Sequence, residues 1–225
     1  MNNKTTIEIR PARIEQSAAI ARLVMMAMTE ECCLHFCGEG ATIDDFLTMM
    51  TLLVEREDSQ YSYCNTLVAM DGDSVVGALV CYDGGELREL RQQFVRYALE
   101  YLHRDHSNLD DETQAGELYI DSLAVDPAYR GRGIATHLLN ASLERARQMG
   151  LPGVGLLVDK GNPNAECLYL SCGFRYVDDN QWGGHAMRHL VRPVEWPLKR
   201  LLVKPQSVIR PSIWLLQSFV FYEVI

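Results

Sequence analysis

Hydrophobic and polar positions along the chain recur with two different periods, which together predict a mixture of strands and helices. Short apolar or alternating runs indicate strands, and apolar residues recurring every three or four positions indicate helices. The predicted strands are 7–10, 64–70, 74–81, 117–125, 154–158, 174–177 and 185–191. The predicted helices are 14–28, 44–54, 86–103, 134–149 and 164–172.

The order of these elements predicts the fold class. Turn residues at 71–73 and 183–184 lie between apolar runs and indicate two hairpins. Between residues 117 and 158, strand, helix and strand follow one another, which is typical of a parallel crossover. A chain that combines hairpins with a crossover is expected to form a mixed α/β sheet within one domain.

Composition and charge narrow the range of partners. The 225 residues are 48% hydrophobic and carry a net charge of −9, which argues against a uniformly basic nucleic-acid-binding protein and slightly favours a cationic substrate. Residues 1–6 are polar and lack the apolar core of a signal peptide. The apolar run at 213–225 is interrupted and too short to span a bilayer. We therefore expect a cytoplasmic protein without a membrane segment.

The cysteines do not predict a metal centre. Seven are present, and the cluster of Cys32, Cys33, His35 and Cys37 does not match zinc-ligand spacing. Most are expected to be reduced and buried, acting as small apolar residues. No metal is expected.

Residues 123–135 are the segment most indicative of chemistry. An apolar strand leads into a turn with two arginines and two glycines, and the turn leads directly into a helix. Unpaired N–H groups at a helix N-terminus can surround a phosphate, and glycine lets the backbone approach it closely. A Walker loop would end in Gly-Lys-Ser/Thr, and a dinucleotide fold would need a third glycine where Thr136 stands. A purely structural turn remains open on this pattern alone.

Two motifs make a family resemblance specific. Arg130-Gly-Arg-Gly-Ile-Ala135 resembles the Gln/Arg-x-x-Gly-x-Gly/Ala signature of GNAT acetyltransferases. Asn162-Pro-Asn-Ala-Glu-Cys-Leu-Tyr-Leu-Ser-Cys-Gly-Phe174 resembles the family's Asn-x-x-Ala-x-x-Leu-Tyr-x-x-x-Gly-Phe segment. The resemblance extends over about residues 6–192. It implies a GNAT-like domain at 1–194 with a twisted, mostly antiparallel sheet, an insertion at 84–114, and a C-terminal extension at 195–225 of unknown role, which keeps a homodimer contact open.

The resemblance also implies the reaction and the cofactor contacts. Acetyl-CoA would be the co-substrate, and its acetyl group would pass directly to a primary amine, either of a small cationic metabolite or of a protein or peptide. Leu123 and Val125 would pair with the pantetheine arm, and the N–H of Leu123 would polarise the thioester carbonyl. The implied cofactor-binding residues are Leu123, Val125, Arg130, Gly131, Arg132, Gly133, Ile134, Ala135 and Asn162.

Three side chains are candidates for proton transfer. By the resemblance, Tyr169 would protonate the departing thiolate. Glu117 and Asp121 alternate with Tyr119 on one strand and share a face, so either could receive a proton from the acceptor ammonium, or could be an exposed or ion-paired residue. Glu30, Glu31, His35 and His185 are weaker acceptor-side candidates. The acidic run 110–112 is interpreted as part of a solvated loop.

Two other functional classes remain open. The same loop would suit a non-catalytic acyl-CoA-binding module that senses or regulates, or a structural domain whose loop binds nothing. Retention of Tyr169 beside a complete pyrophosphate loop favours the enzyme.

Overall fold

The computed structural model describes residues 6–195, which contain seven strands and six α-helices. The strands are β1 (Glu8–Pro11), β2 (Thr66–Asp71), β3 (Ser74–Asp83), β4 (Leu118–Val125), β5 (Gly153–Asp159), β6 (Arg175–Trp182) and β7 (His185–Pro193). The helices are α1 (Ser17–Met28), α2 (Glu30–Cys37), α3 (Ile43–Glu55), α4 (Leu87–Tyr97), α5 (Ile134–Met149) and α6 (Pro163–Ser171).

The strands form one sheet in the order β1-β2-β3-β4-β5-β7-β6. Every neighbouring pair is antiparallel except β4 and β5, which are parallel and connected through α5. A parallel pair needs such a crossover because the chain must return to the end at which the first strand began. The predicted fold class is confirmed: one mixed α/β domain with a mostly antiparallel sheet between helices.

The parallel pair is short, and this shapes the centre of the sheet. Only Leu118 with Val154 and Tyr119 with Gly155 are paired between β4 and β5. Both strands continue beyond these pairs, β4 to Val125 and β5 to Asp159. The two strands therefore diverge, and a gap opens between them towards their C-terminal ends. We call it the β4–β5 gap.

An extra residue lies in β4 close to the start of that gap. Cys81 is opposite Ile120 whereas Val80 is opposite Ser122, so Asp121 has no counterpart in β3. One extra residue in a strand changes which side chains point to each face. Leu118 and Ile120 pack on the side of α5 before this bulge, and Leu123 packs there after it.

Two apolar layers cover the sheet. On one face, Val80 of β3 packs with Ile20 of α1 and Phe46 of α3. On the other face, Leu79 packs with Leu138 of α5. Alternate residues of β3 thus serve opposite cores, which is why this strand is apolar almost throughout. Helices on both faces leave the C-terminal ends of β4 and β5 as the place where a ligand can reach the backbone.

The element predictions were largely confirmed, with three differences. Residues 30–37 form α2, although no element was predicted between the helices at 14–28 and 44–54. The predicted helix 86–103 is α4 followed by a single wider π-turn, Ala98–Leu102. The strand predicted at 174–177 continues to Trp182, because its polar residues pair with β7.

The segments assigned from the resemblance are only partly within the structure. The proposed insertion at 84–114 contains α4 and the loop that follows it. The C-terminal extension lies outside the described residues, apart from Glu195. Over residues 6–195, none of the helices has the length and apolar character needed to cross a membrane.

Candidate functional site

The Gly-rich turn lies between the end of β4 and the start of α5. Asp126 caps a short 3-10 turn at Pro127–Tyr129 by accepting a hydrogen bond from the N–H of Ala128 at 2.8 Å. Gly131 and Gly133 then have φ values of +74° and +77°, which glycine adopts without the strain that other residues incur. A Cβ at either position would meet no atom within 4 Å. Within the described residues there is space for a side chain at both positions, so packing does not explain why they are glycine.

The backbone of this turn offers a row of hydrogen-bond donors. Among the residues that the structure describes, none accepts a hydrogen bond from the N–H groups of residues 131–136. The next N–H group, that of His137, forms a hydrogen bond within the helix, donating to the carbonyl of Gly133 at 3.0 Å. These donors belong to the turn and the first turn of α5, where the helix dipole places positive charge. Such a row of donors is suited to a phosphate group, and the assignment of Arg130–Ala135 to a pyrophosphate stays a prediction.

The two arginines of the turn are held by neighbouring carbonyl groups. Arg130 Nε donates to the carbonyl of Val125 at 3.1 Å. The guanidinium of Arg132 donates to the carbonyl of Ala128 at 3.0 Å and lies 4.7 Å from the centre of the Tyr129 ring. Both arginines are exposed. They add positive charge around the donors without occupying them.

Leu123 and Val125 lie on the part of β4 that borders the gap. Both follow the last pair with β5, and the side chains of both pack on the core beneath α5. Across the gap, Asn162 begins α6: its Oδ1 accepts a hydrogen bond from the N–H of Ala165 at 3.1 Å. The Oδ1 atom therefore serves as a helix cap, and its Nδ2 group is the part suited to a ligand contact.

Tyr169 is placed by α6 against the core beneath α5. Its ring meets Phe174 edge-on at 5.8 Å between centroids. Burial, with a smaller contribution from Cys172, raises the pKa of Tyr169 to about 12. The phenol is therefore protonated throughout the neutral range and can act as an acid.

Glu117 precedes β4 at the closed end of the gap. Its Oε2 lies 2.8 Å from Nε2 of His189, and its Oε1 accepts a hydrogen bond from Thr113 at 2.7 Å. The carboxylate lies over Gly155, where a Cβ would overlap with Glu117 Oε2. Nδ1 of His189 lies 3.3 Å from Asp178. Glu117 is thus an ion-paired residue that joins strands, the alternative left open for it.

Asp121 lies at the bulge, two residues beyond the last β4–β5 pair. Its Oδ2 accepts a hydrogen bond from Gln60 Nε2 at 3.0 Å and lies 3.2 Å from the Tyr82 hydroxyl. Its Oδ1 accepts a hydrogen bond from Ser122 at 2.8 Å. Burial raises the pKa of Asp121, against these hydrogen bonds. Of the two carboxylates proposed on this strand, Asp121 is the one beside the open part of the gap.

A further carboxylate reaches the same place from the loop before β4. Glu112 is buried, and its Oε1 accepts a hydrogen bond from the Tyr82 hydroxyl at 3.2 Å. The interpretation of 110–112 as solvated loop was therefore wrong for Glu112 and, in part, for Asp111, which is paired with Arg88 and Arg91. The signal that could have identified this is the spacing of Arg88 and Arg91, one turn apart on α4 and opposite in charge to the run.

The remaining sequence candidates lie away from these residues. Glu30, Glu31 and His35 are exposed on α2, and His185 is paired at 3.0 Å with Asp159 on the surface. Cys33 lies in α2 as well. Burial raises the pKa of its thiol to about 12, which makes the thiol unreactive. Over residues 6–195, no group of three or more His, Cys, Asp or Glu side chains is placed to hold a metal ion.

Comparison with known proteins assigns the family. The profile of the acetyltransferase (GNAT) family matches residues 41–174, more than half of the chain. The chain belongs to the GNAT family. One solved protein with the same fold, the PaiA N-acetyltransferase from Thermoplasma acidophilum, is in complex with coenzyme A; it superposes with a TM-score of 0.51 at 15% identity. The profile match includes the Gly-rich turn, β4, β5 and α6, so the family assignment covers the segments that border the β4–β5 gap.

Individual relatives of this GNAT chain agree with that assignment. The N-acetyltransferase from Staphylococcus aureus Mu50 superposes with a TM-score of 0.70 at 27% identity, covering 82% of this chain and 99% of the other. A segment of 76 residues is 41% identical to the mycothiol acetyltransferase of Nocardiopsis dassonvillei, covering 34% of this chain and 22% of that protein. A segment of 66 residues is 35% identical to the ribosomal protein bS18-alanine N-acetyltransferase of Haemophilus ducreyi, covering 29% and 46%. The chain thus matches between a fifth and a half of the length of these two curated relatives.

Proposed function

We propose that the protein is an acetyl-CoA-dependent N-acetyltransferase that acetylates a primary amine directly. The observation that carries the proposal is the row of N–H groups at residues 131–136, which have no acceptor within residues 6–195 and lie next to a gap that exposes the backbone of β4. Membership of the acetyltransferase family supports it. The relatives act, by their names, on different acceptors, so the class of amine is proposed from this chain's own charge: a cationic metabolite or a peptide amine.

The donor side would be formed by the Gly-rich turn and the strands beside it. The N–H groups of Gly131 to Ala135 would hold the pyrophosphate, with Arg130 and Arg132 adding positive charge. The backbone of Leu123 and Val125, together with Asn162, would hold the pantetheine arm. When bound, acetyl-CoA supplies the acetyl group as a thioester, which an amine can attack without an enzyme-bound intermediate.

The chain's own groups would perform the three remaining tasks. The N–H of Leu123 would donate to the carbonyl oxygen as it gains negative charge, an effect of about 3 kcal/mol on the barrier. Tyr169 would donate its proton to the departing thiolate and recover one from the attacking nitrogen. Asp121 would accept a proton from the acceptor ammonium, because only the neutral amine has a lone pair for attack.

The experiment is a thiol-release assay with the full chain, acetyl-CoA and a panel of amines: spermidine, an aminoglycoside, a lysine peptide and a peptide with N-terminal alanine. At least one amine is expected to drive thiol release. Tyr169→Phe should lower kcat by about 100-fold, since general acid catalysis contributes on that order, with little change in the KM for acetyl-CoA.

The matched control is Tyr176→Phe, which removes a phenol hydroxyl from an exposed position on β6. It should behave as the wild type. If coenzyme A binds but no amine releases thiol, the chain is an acyl-CoA-binding module rather than an enzyme. If coenzyme A does not bind, the assignment of the Gly-rich turn is wrong.

A further inference from the structure

The proposed insertion sends one carboxylate into the domain core. Arg88 and Arg91 of α4 hold Asp111 at 2.6 Å and 3.4 Å. These pairs fasten the acidic loop to the helix and turn the next residue, Glu112, inwards, where it is 7% exposed. Arg91 also lies 3.4 Å from Glu112. Ion pairs of α4 with two consecutive loop residues, Asp111 and Glu112, thus hold the loop in position.

One hydroxyl group connects this carboxylate with the strand that borders the gap. The Tyr82 hydroxyl lies 3.2 Å from Glu112 Oε1 and 3.2 Å from Asp121 Oδ2. A phenol has one proton to donate and lone pairs with which to accept another. It can therefore give its own proton to one carboxylate while receiving a proton from the other. Asp121 is partly exposed and Glu112 is buried, so the path leads from the surface inwards.

An unpaired buried oxygen beside Asp121 points independently to a missing donor. Gln60 is 3% exposed, and its Nε2 donates to Asp121 Oδ2 at 3.0 Å. Its carbonyl oxygen Oε1 is buried and has no hydrogen-bond partner in the part of the chain that the structure describes. Buried polar atoms nearly always have a partner. A primary ammonium has three N–H donors and could satisfy both Asp121 and Gln60.

We propose that Asp121 and Gln60 bind the ammonium group of the acceptor, and that Glu112 receives its proton through the hydroxyl of Tyr82. This rests on the proposed N-acetyltransferase function and names the acceptor class, a primary ammonium. The ammonium N–H bond breaks and a proton passes to Asp121. Tyr82 then gives its proton to Glu112 and takes the one held by Asp121. One proton thus moves from the ammonium to Glu112, and it returns to water through Tyr82 and Asp121 once the product has left.

The charges around Glu112 suit a proton acceptor at neutral pH. Burial, and then the negative charge of Asp121, raise the pKa of Glu112 to about 7, while Arg91 opposes the rise. The groups that face it are Asp121 and Tyr119 of β4, Tyr82 of β3, Arg91 of α4 and Tyr61 of the segment after α3. Burial raises the pKa of each of these three tyrosines, so none of them competes for the proton near pH 7.

The test compares Glu112→Gln with Asp110→Asn across pH 6–10, using the amine of the panel that the wild type acetylates fastest. Asp110 is an exposed neighbour in the same loop, so its variant removes the same charge from the same segment. We expect Glu112→Gln to lower kcat/KM at pH 7 by about 100-fold, the usual size of a general-base effect. Activity should recover as the pH approaches the pKa of the amine itself. Asp110→Asn should keep the wild-type profile, and Tyr82→Phe should reproduce the Glu112→Gln profile.

A second readout does not depend on turnover. A carboxyl group with a raised pKa in the folded state stabilises the protein below its unfolded pKa, and this stabilisation is lost as the pH rises through about 7. The midpoint of thermal unfolding should therefore fall more between pH 5 and pH 8 for the wild type and Asp110→Asn than for Glu112→Gln. Equal falls would overturn the inference even if the variants are active.

The outcomes separate this inference from the function on which it rests. If the wild type acetylates an amine and Glu112→Gln has the same pH profile as Asp110→Asn, the relay is wrong and the N-acetyltransferase function stands. If the wild type acetylates no amine, both are overturned.

Discussion

Two glycines with nearly the same backbone torsions stand at the two ends of α5. Gly133 has φ 77° and ψ 6°, and Gly150 has φ 75° and ψ 16°. A Cβ at either would meet no atom within 4 Å. They differ in their surroundings: Gly133 lies among the N–H groups proposed to hold the pyrophosphate, whereas Gly150 follows the C-terminal end of the helix. Substituting each glycine in turn therefore distinguishes the effect of backbone strain from an effect on ligand binding.

We predict that Gly133→Ala and Gly150→Ala each lower the free energy of unfolding by about 1 kcal/mol, because an L residue is strained in this region. Only Gly133→Ala should also raise the KM for acetyl-CoA, by about tenfold, since a loss near 1.4 kcal/mol in binding has that effect. Denaturant unfolding and steady-state kinetics measure the two quantities. An equal rise in KM for both variants would contradict the proposed role of Gly133.

Which residues could be predicted from the sequence depends on whether their surroundings come from sequence neighbours or from other elements of the fold. The turn that contains Gly131 and Gly133 could be predicted from the sequence because it depends on adjacent residues between a strand and a helix. Glu112 was not, since its burial depends on Arg88 and Arg91 in another element and on Tyr82 in a third. Charge runs are usually solvated, and only the tertiary pairing distinguishes this one.

Among the elements, β4, β5 and β7 are joined where the β4–β5 gap closes. Glu117, just before β4, reaches over Gly155 of β5 to His189 of β7 at 2.8 Å. The hydrogen bond to Glu117 raises the pKa of His189, so the protonated ring stabilises the fold below its unfolded pKa near 6.5. That stabilisation is lost as the pH rises through the raised value in the folded state. The pair fixes the point from which the two parallel strands diverge.

His189→Gln is expected to lower the free energy of unfolding by about 3 kcal/mol at pH 6, because it leaves the buried Glu117 carboxylate without its charged partner. The difference from the wild type should shrink towards pH 9. His185→Gln is the matched control: it breaks a similar pair with Asp159, but the His185 side chain is 68% exposed, so the loss should stay below about 1 kcal/mol. The free energies of unfolding can be measured with denaturant at both pH values. An equal loss of stability in the two variants would contradict the prediction.

Element boundaries were predictable where periodicity was strong and missed where it was weak. The helix α5 and the strands β3 and β4 follow long apolar patterns and were located from the sequence. The helix α2 has eight residues, three of them cysteines, and was not predicted. Strand β6 is polar over most of its length and exists because it pairs with β7. Pairing across the sheet is not visible in local hydrophobicity.

In the molecule as a whole, the proposed donor and acceptor sides meet at β4 from opposite directions. The Gly-rich turn and α5 lie at one end of the gap, and Asp121 with its partners lies near the end at which the strands close. A ligand that occupies the gap would take the hydrogen bonds that β5 does not supply there. Binding should consequently stabilise the fold and protect backbone amides on both sides of it.

We predict that coenzyme A at 100 times its Kd stabilises the protein by about 2.7 kcal/mol, since it binds the folded state alone. Hydrogen exchange should slow at residues 120–125 and 131–136, and the amides of β2, which lie away from the gap, should serve as the internal control. Slowing that is confined to other segments would contradict the proposed location of the cofactor.

The cofactor and the acceptor amine are proposed to be bound by largely different residues, which affects how such a protein can evolve. The residues proposed to hold the cofactor come from one contiguous stretch, β4 to α6. Within that stretch only Asp121 is proposed to bind the acceptor ammonium, together with Gln60 from outside it, and the proton passes through Tyr82 to the loop that carries Glu112. Mutations around Gln60 or in that loop would change how the amine is held and deprotonated, and would leave acetyl-CoA binding intact. Descendants of this chain could therefore acquire another amine substrate through residues outside the cofactor-binding stretch, without passing through a form that has lost its acetyl donor.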